Sequence, residues 1–282
     1  MTKIYDCFTF YNEFELLELR LKELYHHVDH FVIVEANRTF QNAEKPFYFT
    51  EQMEDLRWKK YSDKIILVQV PNMPVDADAW GRERWQRDAI LHGLAGADPD
   101  DIIMIGDADE IPRIETIKHL RTSDRSIWGF RMPLFNFRYN YMLINQDCYS
   151  VWSGAVRRRV LVSPEEFRRM RHVLGGLEFG YSDPTIEIVE HAGWHFTYLG
   201  NEEFAKSKIQ SFAHAETNKP EIINQLNIEA SIAQGTGIIQ TDVAYKFAPV
   251  AVDDYLPTYV QHSTNVIAGD YPSAKEFLPK LE

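Results

Sequence analysis

The chain is short of cysteine, of basic residues and of long apolar runs. Its 282 residues include two cysteines, Cys7 and Cys148. Two thiols cannot make a disulfide framework, so the fold has to rest on its core, and a reducing compartment is expected. Lys and Arg number 30 against 42 Asp and Glu, a formal net charge of -12. A nucleic-acid partner needs net basic surface to neutralise phosphate, so that class is excluded, although a local basic site for a phosphorylated ligand is not. No stretch approaches the roughly 18–20 apolar residues of a membrane span. A first strand from Lys3 leaves no room for a signal peptide, so a cytoplasmic protein without a transmembrane segment is expected. Repeats, low-complexity segments and linkers are missing too. Apolar residues make up 45% of the chain and aromatics 13%, enough for a sizeable core.

One stretch stands out: Asp101-Ile102-Ile103-Met104-Ile105-Gly106-Asp107-Ala108-Asp109-Glu110-Ile111-Pro112. The short isoleucine-rich run reads as a buried strand. Gly106 is expected to let the backbone turn and Pro112 to stop the ladder. The carboxylates then lie where strand meets loop, the edge at which open α/β sheets bind ligands. Two aspartates one residue apart can share a hard divalent cation, and such a cation can hold a diphosphate. If the extended conformation persists through Asp109, alternation puts both side chains on one face.

The rest of the first 120 residues alternates strands with helices. Strands are expected at 3–10, 30–35, 65–70 and 102–105. Helices are expected after Asn12 as N-cap, at 50–61 with Thr50 as cap, and at 80–93. That succession predicts an α/β fold with a mostly parallel, doubly wound sheet. Residues 126–144 and 148–162 are rich in aromatic and β-branched residues and suggest antiparallel strands. Short helices are expected at 164–170, 201–214 and 220–233, and a strand at 187–198. The reading is one domain over 1–245 and a C-terminal extension over 246–282, where prolines interrupt any pattern.

The run Gly106-Asp107-Ala108-Asp109-Glu110-Ile111-Pro112 resembles the metal motif of glycosyltransferase family 17, which includes the enzymes that add bisecting N-acetylglucosamine to N-glycans. Other blocks are similar to that family in the same order. They are Phe10-Tyr11-Asn12-Glu13, Val28 to Ala36 with Thr39-Phe40, Trp80 with Arg82-Glu83 and Gln86-Arg87, Gly193-Trp194-His195-Phe196, and Lys208-Ile209-Gln210-Ser211-Phe212. The resemblance spans residues 4 to 216. It implies a GT-A type fold, a nucleotide-sugar donor such as UDP-N-acetylglucosamine, a glycan acceptor, Mn²⁺ or Mg²⁺, and inversion at the anomeric carbon. Animal members carry a membrane anchor and stem, and this sequence is expected to depart from them in having neither.

On that footing Asp109 is the first choice for metal coordination, with Asp107 reaching the ribose or a metal-bound water. The resemblance makes His195 a further metal ligand and Lys208 a diphosphate contact; otherwise His195 reads as a core histidine and Lys208 as a solvated helix lysine. Arg87 and Arg82 are candidate donor contacts, with a Glu83–Arg87 i,i+4 pair as the alternative for Arg87. Glu35 ends a strand at the same sheet edge and is expected to accept from ribose or base. Glu110 is the candidate base for the acceptor hydroxyl, with Glu216 and Asp183 in reserve; its alternative is to cap the next helix or pair with a basic neighbour. Trp128, Phe135, Phe137, Tyr139 and Tyr141 suggest either a sugar-stacking wall or core. The runs 157–159 and 168–171 read as a solvated basic face, with an acceptor phosphate or peripheral contact with anionic lipid as the alternative. Two other functions fit an Asp-x-Asp: a phosphohydrolase or phosphotransferase, and a catalytically silent sugar-nucleotide or glycan-binding module. The former usually carries the pair after its first strand, whereas here it follows the fourth.

Overall fold

The structure is a computed structural model that describes residues 2–145, 149–171, 186–238 and 245–279. Its parallel half contains β1 (Ile4–Thr9), β2 (His30–Ala36), β3 (Ile65–Val70) and β4 (Ile102–Asp107), in the order β4-β1-β2-β3. Alternate residues of these strands feed two cores, one on each sheet face. Ile4, Phe8, Phe31, Ile33, Ile102 and Met104 meet the leucines of α1 (Phe14–Leu24), and Trp58 joins them. Tyr5, Cys7, Val32, Val34, Ile103 and Ile105 pack on the other face with Ala89, Ile90 and Phe167. Strands covered on both faces read as unbroken apolar runs, which is why they were visible in the sequence. Each fully buried Leu, Ile or Phe contributes roughly 1.5–3 kcal/mol.

The expected helix at 50–61 is two short pieces, α2 (Tyr48–Gln52) and α3 (Leu56–Lys59), the second capped by Asp55. The helix at 80–93 is likewise divided into α4 (Ala79–Asp88) and α5 (Ile90–Gly93). Glu13, not Asn12, holds the N-cap position of α1; its carboxylate reaches back to the Tyr11 and Asn12 N–H groups. Gly106 lies within β4. A Cβ there would stand 3.0 Å from both Glu110 Oε2 and Ser153 Cβ, so the glycine makes room for neighbours and does not supply the turn.

The second half is largely antiparallel. A turn at Ala108–Asp109 leads from β4 into β5 (Glu110–Pro112), and α6 (Ile114–Thr122) follows. Then come β6 (Ile127–Asn136), β7 (Tyr141–Leu143) and β8 (Tyr149–Arg157). β8 pairs antiparallel with both β4 and β6, and so joins the two halves. After α7 (Pro164–Arg169), β9 (Ile186–Val189) and β10 (Gly193–Thr197) both run parallel to β6, and β10 also pairs antiparallel with β5. The 220–233 helix is again two pieces: α8 (Glu202–Ser211) is followed by α9 (Pro220–Ile223) and α10 (Ile228–Gln234).

The stretch expected as a C-terminal extension packs into this body. β11 (Phe247–Pro249) pairs with β7, and Val250, Tyr255, Leu256, Val260 and Leu278 join the main core. Arg113 lies between the rings of Trp194 and Tyr255, 4.5 and 4.0 Å from their centroids. The aromatic series is core: Phe135, Phe137, Tyr139 and Tyr141 are all buried. Phe137 takes φ 61°, which ends the alternation, so Phe135 and Tyr139 enter one cluster while Phe137 and Tyr141 enter another. Trp128 is also buried, its indole N–H donating to Ser123 and Glu187. No helix among the described residues is long and apolar enough to cross a membrane.

Candidate active site

A cleft of about 260 Å³ opens at the carboxyl ends of β1 and β4. These neighbouring parallel strands mark the point where strand order reverses, since β2 continues from one and β8 from the other. Open α/β sheets bind ligands at such a switch point. Tyr11, Asp107, Asp109, Glu110, Arg168, His195 and Lys208 are among its lining residues.

The Asp-x-Asp pair does not continue as strand. β4 ends at Asp107 and Asp109 lies in the following turn, so strand alternation does not set its direction. The turn is held from below. Arg20 of α1, wholly buried and bound to Asp6, donates from Nη1 to the carbonyls of Asp107 and Glu110, each at 2.9 Å. The Phe196 N–H donates to the Asp109 carbonyl at 2.8 Å, tying β10 to the same turn.

Asp109 stands between Lys208 and His195. Lys208 Nζ donates to its Oδ2 at 2.6 Å, and His195 Nε2 lies 3.7 Å from its Oδ1. Burial disfavours its charge, but Lys208 and His195 hold the carboxyl well below the usual range. Lys208 is shifted the other way: burial opposes its charge, and Asp109 and Glu13 hold its ammonium above the ordinary value. It is therefore an ion-paired lysine of the cleft and not a solvated one. His195 also lines the cleft, its Nδ1 buried and without a hydrogen-bond partner among the described residues.

Asp107 is engaged on both oxygens. Arg87 Nη2 donates to Oδ1 at 3.0 Å and Arg168 Nη2 to Oδ2 at 2.7 Å. Burial is again outweighed, by Arg168 and then Arg87, and the carboxyl lies well below its usual range. The structure does not bring Asp107 into one ligand group with Asp109 and His195: among the described residues no three carboxylate, imidazole or thiolate groups are placed to hold a metal ion by themselves. Arg87 makes the expected pair with Glu83, at 2.5 Å, and a second with Glu165 at 2.5 Å.

Glu110 is 1% exposed. Its Oε1 accepts from Arg168 at 2.6 Å and its Oε2 from the Asp107 N–H at 2.9 Å. Burial lifts its carboxyl above the ordinary value against the pull of Arg168. With both oxygens committed, it locks the turn and pairs with a basic neighbour, which fits poorly with the base expected from sequence. Glu216 is exposed and bound to His214 at 2.6 Å, and Asp183 lies outside the described residues.

Glu35 is not in the cleft wall. It is fully buried, and its carboxylate accepts from the Phe49 and Thr50 N–H groups, both at 2.9 Å, and from the Thr50 hydroxyl. It satisfies the start of α2 instead of a ribose. Thr50, expected as a cap, is thus the group being capped. Arg82 is likewise spent on backbone, donating to the carbonyls of Phe40 and Ala77.

Sequence reasoning missed Arg168. Its run was expected on a solvated face, yet the side chain is 4% exposed and binds two acidic residues of the motif. The available signal was helical: Ser163 caps α7, and Pro164, Glu165, Phe167 and Arg168 form its buried side. Arg168 Nε and Nη1 are buried with no partner among the described residues. The run 157–159 is tied up locally: Arg157 donates to the carbonyls of Asp100, Ser123 and Arg125, and Arg159 pairs with Asp100. Lys45 was missed as well. Its Nζ donates to the Ala36 carbonyl at 2.5 Å and lies 5.5 and 5.3 Å from the ring centroids of Tyr11 and Tyr48. Burial pulls its ammonium down to about 8, against Glu35 and Glu13.

Residues 1–251 match the family described as Glycosyltransferase family 17. The chain is 24% identical over 221 residues to the rat beta-1,4-mannosyl-glycoprotein 4-beta-N-acetylglucosaminyltransferase, and 25% identical over 212 residues to the human protein of that name. These matches take in 70% and 67% of this chain but only 41% and 40% of those proteins. Among solved structures, the inositol-1-phosphate CTP transferase from T. maritima overlaps 70% of this chain and 86% of its own, at 12% identity and a TM-score of 0.36, too low to bear on function. With the profile matched across most of its length, the chain belongs to glycosyltransferase family 17.

Proposed function

We propose that the chain is a divalent-cation-dependent, inverting glycosyltransferase that moves N-acetylglucosamine from a UDP donor to a β-linked mannosyl glycan. The observation that carries this reading is Asp109, ionised between Lys208 and His195 in a cleft at the switch point of the sheet. The sugar and acceptor rest on the names of the rat and human relatives.

The donor set fits a cation that arrives with its diphosphate. Mg²⁺-type sites commonly use one or two carboxylates and complete the shell with phosphate and water, without an all-protein cage. Asp109 would be the carboxylate ligand, and His195, with a buried ring nitrogen that has no partner among the described residues, the imidazole one. Bound there, the ion would act as a Lewis acid toward the leaving diphosphate. Lys208 adds a fixed positive charge beside the same carboxylate, and Arg168, whose Nε and Nη1 have no partner among the described residues, adds a second at the cleft wall. Such preset charges favour the state in which the leaving group gains negative charge. Asp107, held at the cleft wall by Arg87 and Arg168, would accept from donor hydroxyls through the remaining lone pairs of its oxygens.

A panel of sugar nucleotides, with Mn²⁺ or with chelator, tests the reading. UDP-N-acetylglucosamine should turn over, and only with the cation present. Turnover of phosphate monoesters would favour the phosphohydrolase alternative, and donor affinity equal in chelator would remove the cation.

A further inference from the structure

In β8, Ser153 pairs with Phe130 of β6 and Val151 pairs with Arg131, so Trp152 between them has no partner. Two ladder positions on β6 thus face three on β8, which is a β-bulge. Bulges re-aim a side chain and recur beside active sites. Here the half-buried indole lines the cleft next to His195, with ring centroids 4.5 Å apart and planes 67° apart.

The indole N–H is already spent, donating to the Met132 carbonyl at 3.1 Å. What Trp152 presents to the cleft is therefore an apolar ring with no donor left. A nucleobase or a phosphate gains little polar recognition from such a surface. The C–H face of a pyranose gains contact area without leaving a polar group unpaired. Sheet order gives the side: β8 adjoins β4 on the flank opposite β1, away from Tyr11 and Lys45.

We propose that Trp152 is the stacking platform for the acceptor sugar. The inference rests on the transferase reading, in which the acceptor approaches from the side opposite the departing diphosphate. The geometry then orders the cleft as nucleotide beside β1, diphosphate at Asp109 and Lys208, and acceptor pyranose at Trp152.

The test is a pair of variants, Trp152→Ala and Trp152→Phe, read three ways. The first is acceptor KM with a mannosyl oligosaccharide, the second donor affinity by calorimetry with UDP-N-acetylglucosamine and Mn²⁺, and the third binding of the oligosaccharide alone by NMR. Trp152→Ala should raise acceptor KM and weaken oligosaccharide binding about tenfold, roughly the size of one aromatic contact. Donor affinity should stay within about twofold, and Trp152→Phe should restore most of the acceptor binding. Unchanged acceptor KM, or no oligosaccharide binding in the wild type, overturns the platform. A parallel loss of donor and Mn²⁺ affinity also overturns it, because Trp152 would then serve only to seat His195. Oligosaccharide binding that needs Trp152 in a protein that turns over no sugar nucleotide would uphold the platform and sink the transferase reading.

Discussion

Arg20 and Asp6 face each other inside the protein as a two-pronged ion pair, Nε to Oδ2 at 2.7 Å and Nη2 to Oδ1 at 2.6 Å. The remaining nitrogen of Arg20 grips the carbonyls of Asp107 and Glu110, on either side of the turn. Arg20→Met would strand a buried carboxylate and should cost about 3–5 kcal/mol of stability. Adding Asp6→Leu should return much of that stability but not the activity, since the turn would still lack its anchor. Urea denaturation and donor turnover on both variants separate the two effects.

Asp109→Asn and His195→Ala should each lower turnover by about 10²-fold or more while the protein stays folded. Their side chains lie at a cleft wall and not in the apolar clusters. Calorimetry with Mn²⁺ should show weaker donor binding for both. An unfolded His195→Ala, whose residual folded fraction works at full rate, would return His195 to the core.

Lys208→Ala should reduce turnover about tenfold to a hundredfold and donor affinity by less. Charge on the diphosphate grows toward the transition state, so a cation there acts mainly on the chemical step. Steady-state kinetics beside donor titration gives the split; equal losses in both would make Lys208 a ground-state contact.

Glu110→Gln keeps the shape of the side chain but removes the charge facing Arg168. If Glu110 locks the turn, thermal stability, donor affinity and turnover should fall together. A proton acceptor would instead lose transfer with donor binding intact, across alkaline pH. That second pattern would reinstate it as the base.

Lys45 gives a pH dependence with a definite sign. Burial lowers its ammonium from 10.5 to about 8 in the folded protein, while the unfolded chain keeps its proton to the ordinary value. Between those values the unfolded state binds more protons, so Lys45 makes stability rise with pH across that window. Lys45→Met should remove this contribution. Urea denaturation of both proteins at pH 7.5, 9 and 10 measures the difference, and parallel curves would mean that the ammonium is fully solvated.

Much of the parallel half was legible because its strands are covered on both faces, leaving continuous apolar runs such as 102–105. The meeting of Asp109, His195 and Lys208 was legible only through the family blocks, since nothing local says that positions 99 residues apart touch. Arg168 and Glu35 misled for the same reason. A buried arginine and a surface arginine have the same sequence signature, and a carboxylate at a strand end looks alike whether it faces a ligand or caps a neighbouring helix. Trp152 depends on a register slip, which is a property of two strands and cannot be read from either. Trp128 had the right chemistry for a sugar platform but lies inside.

Glu83, Glu165, Arg87, Asp107, Arg168 and Glu110 form one connected run of opposite charges. Losing Arg87 would take the cation from Glu165 and losing Arg168 the cation from Glu110, so effects within this set will not add. For a lineage of such sequences this restricts the order of change. Two or more members would have to change together, and intermediates would pass through a destabilised state. The cleft wall after β2 that carries Lys45 lies outside this run, so a substitution there leaves the charged set intact. The run then acts as a fixed chassis, and specificity can diverge around it.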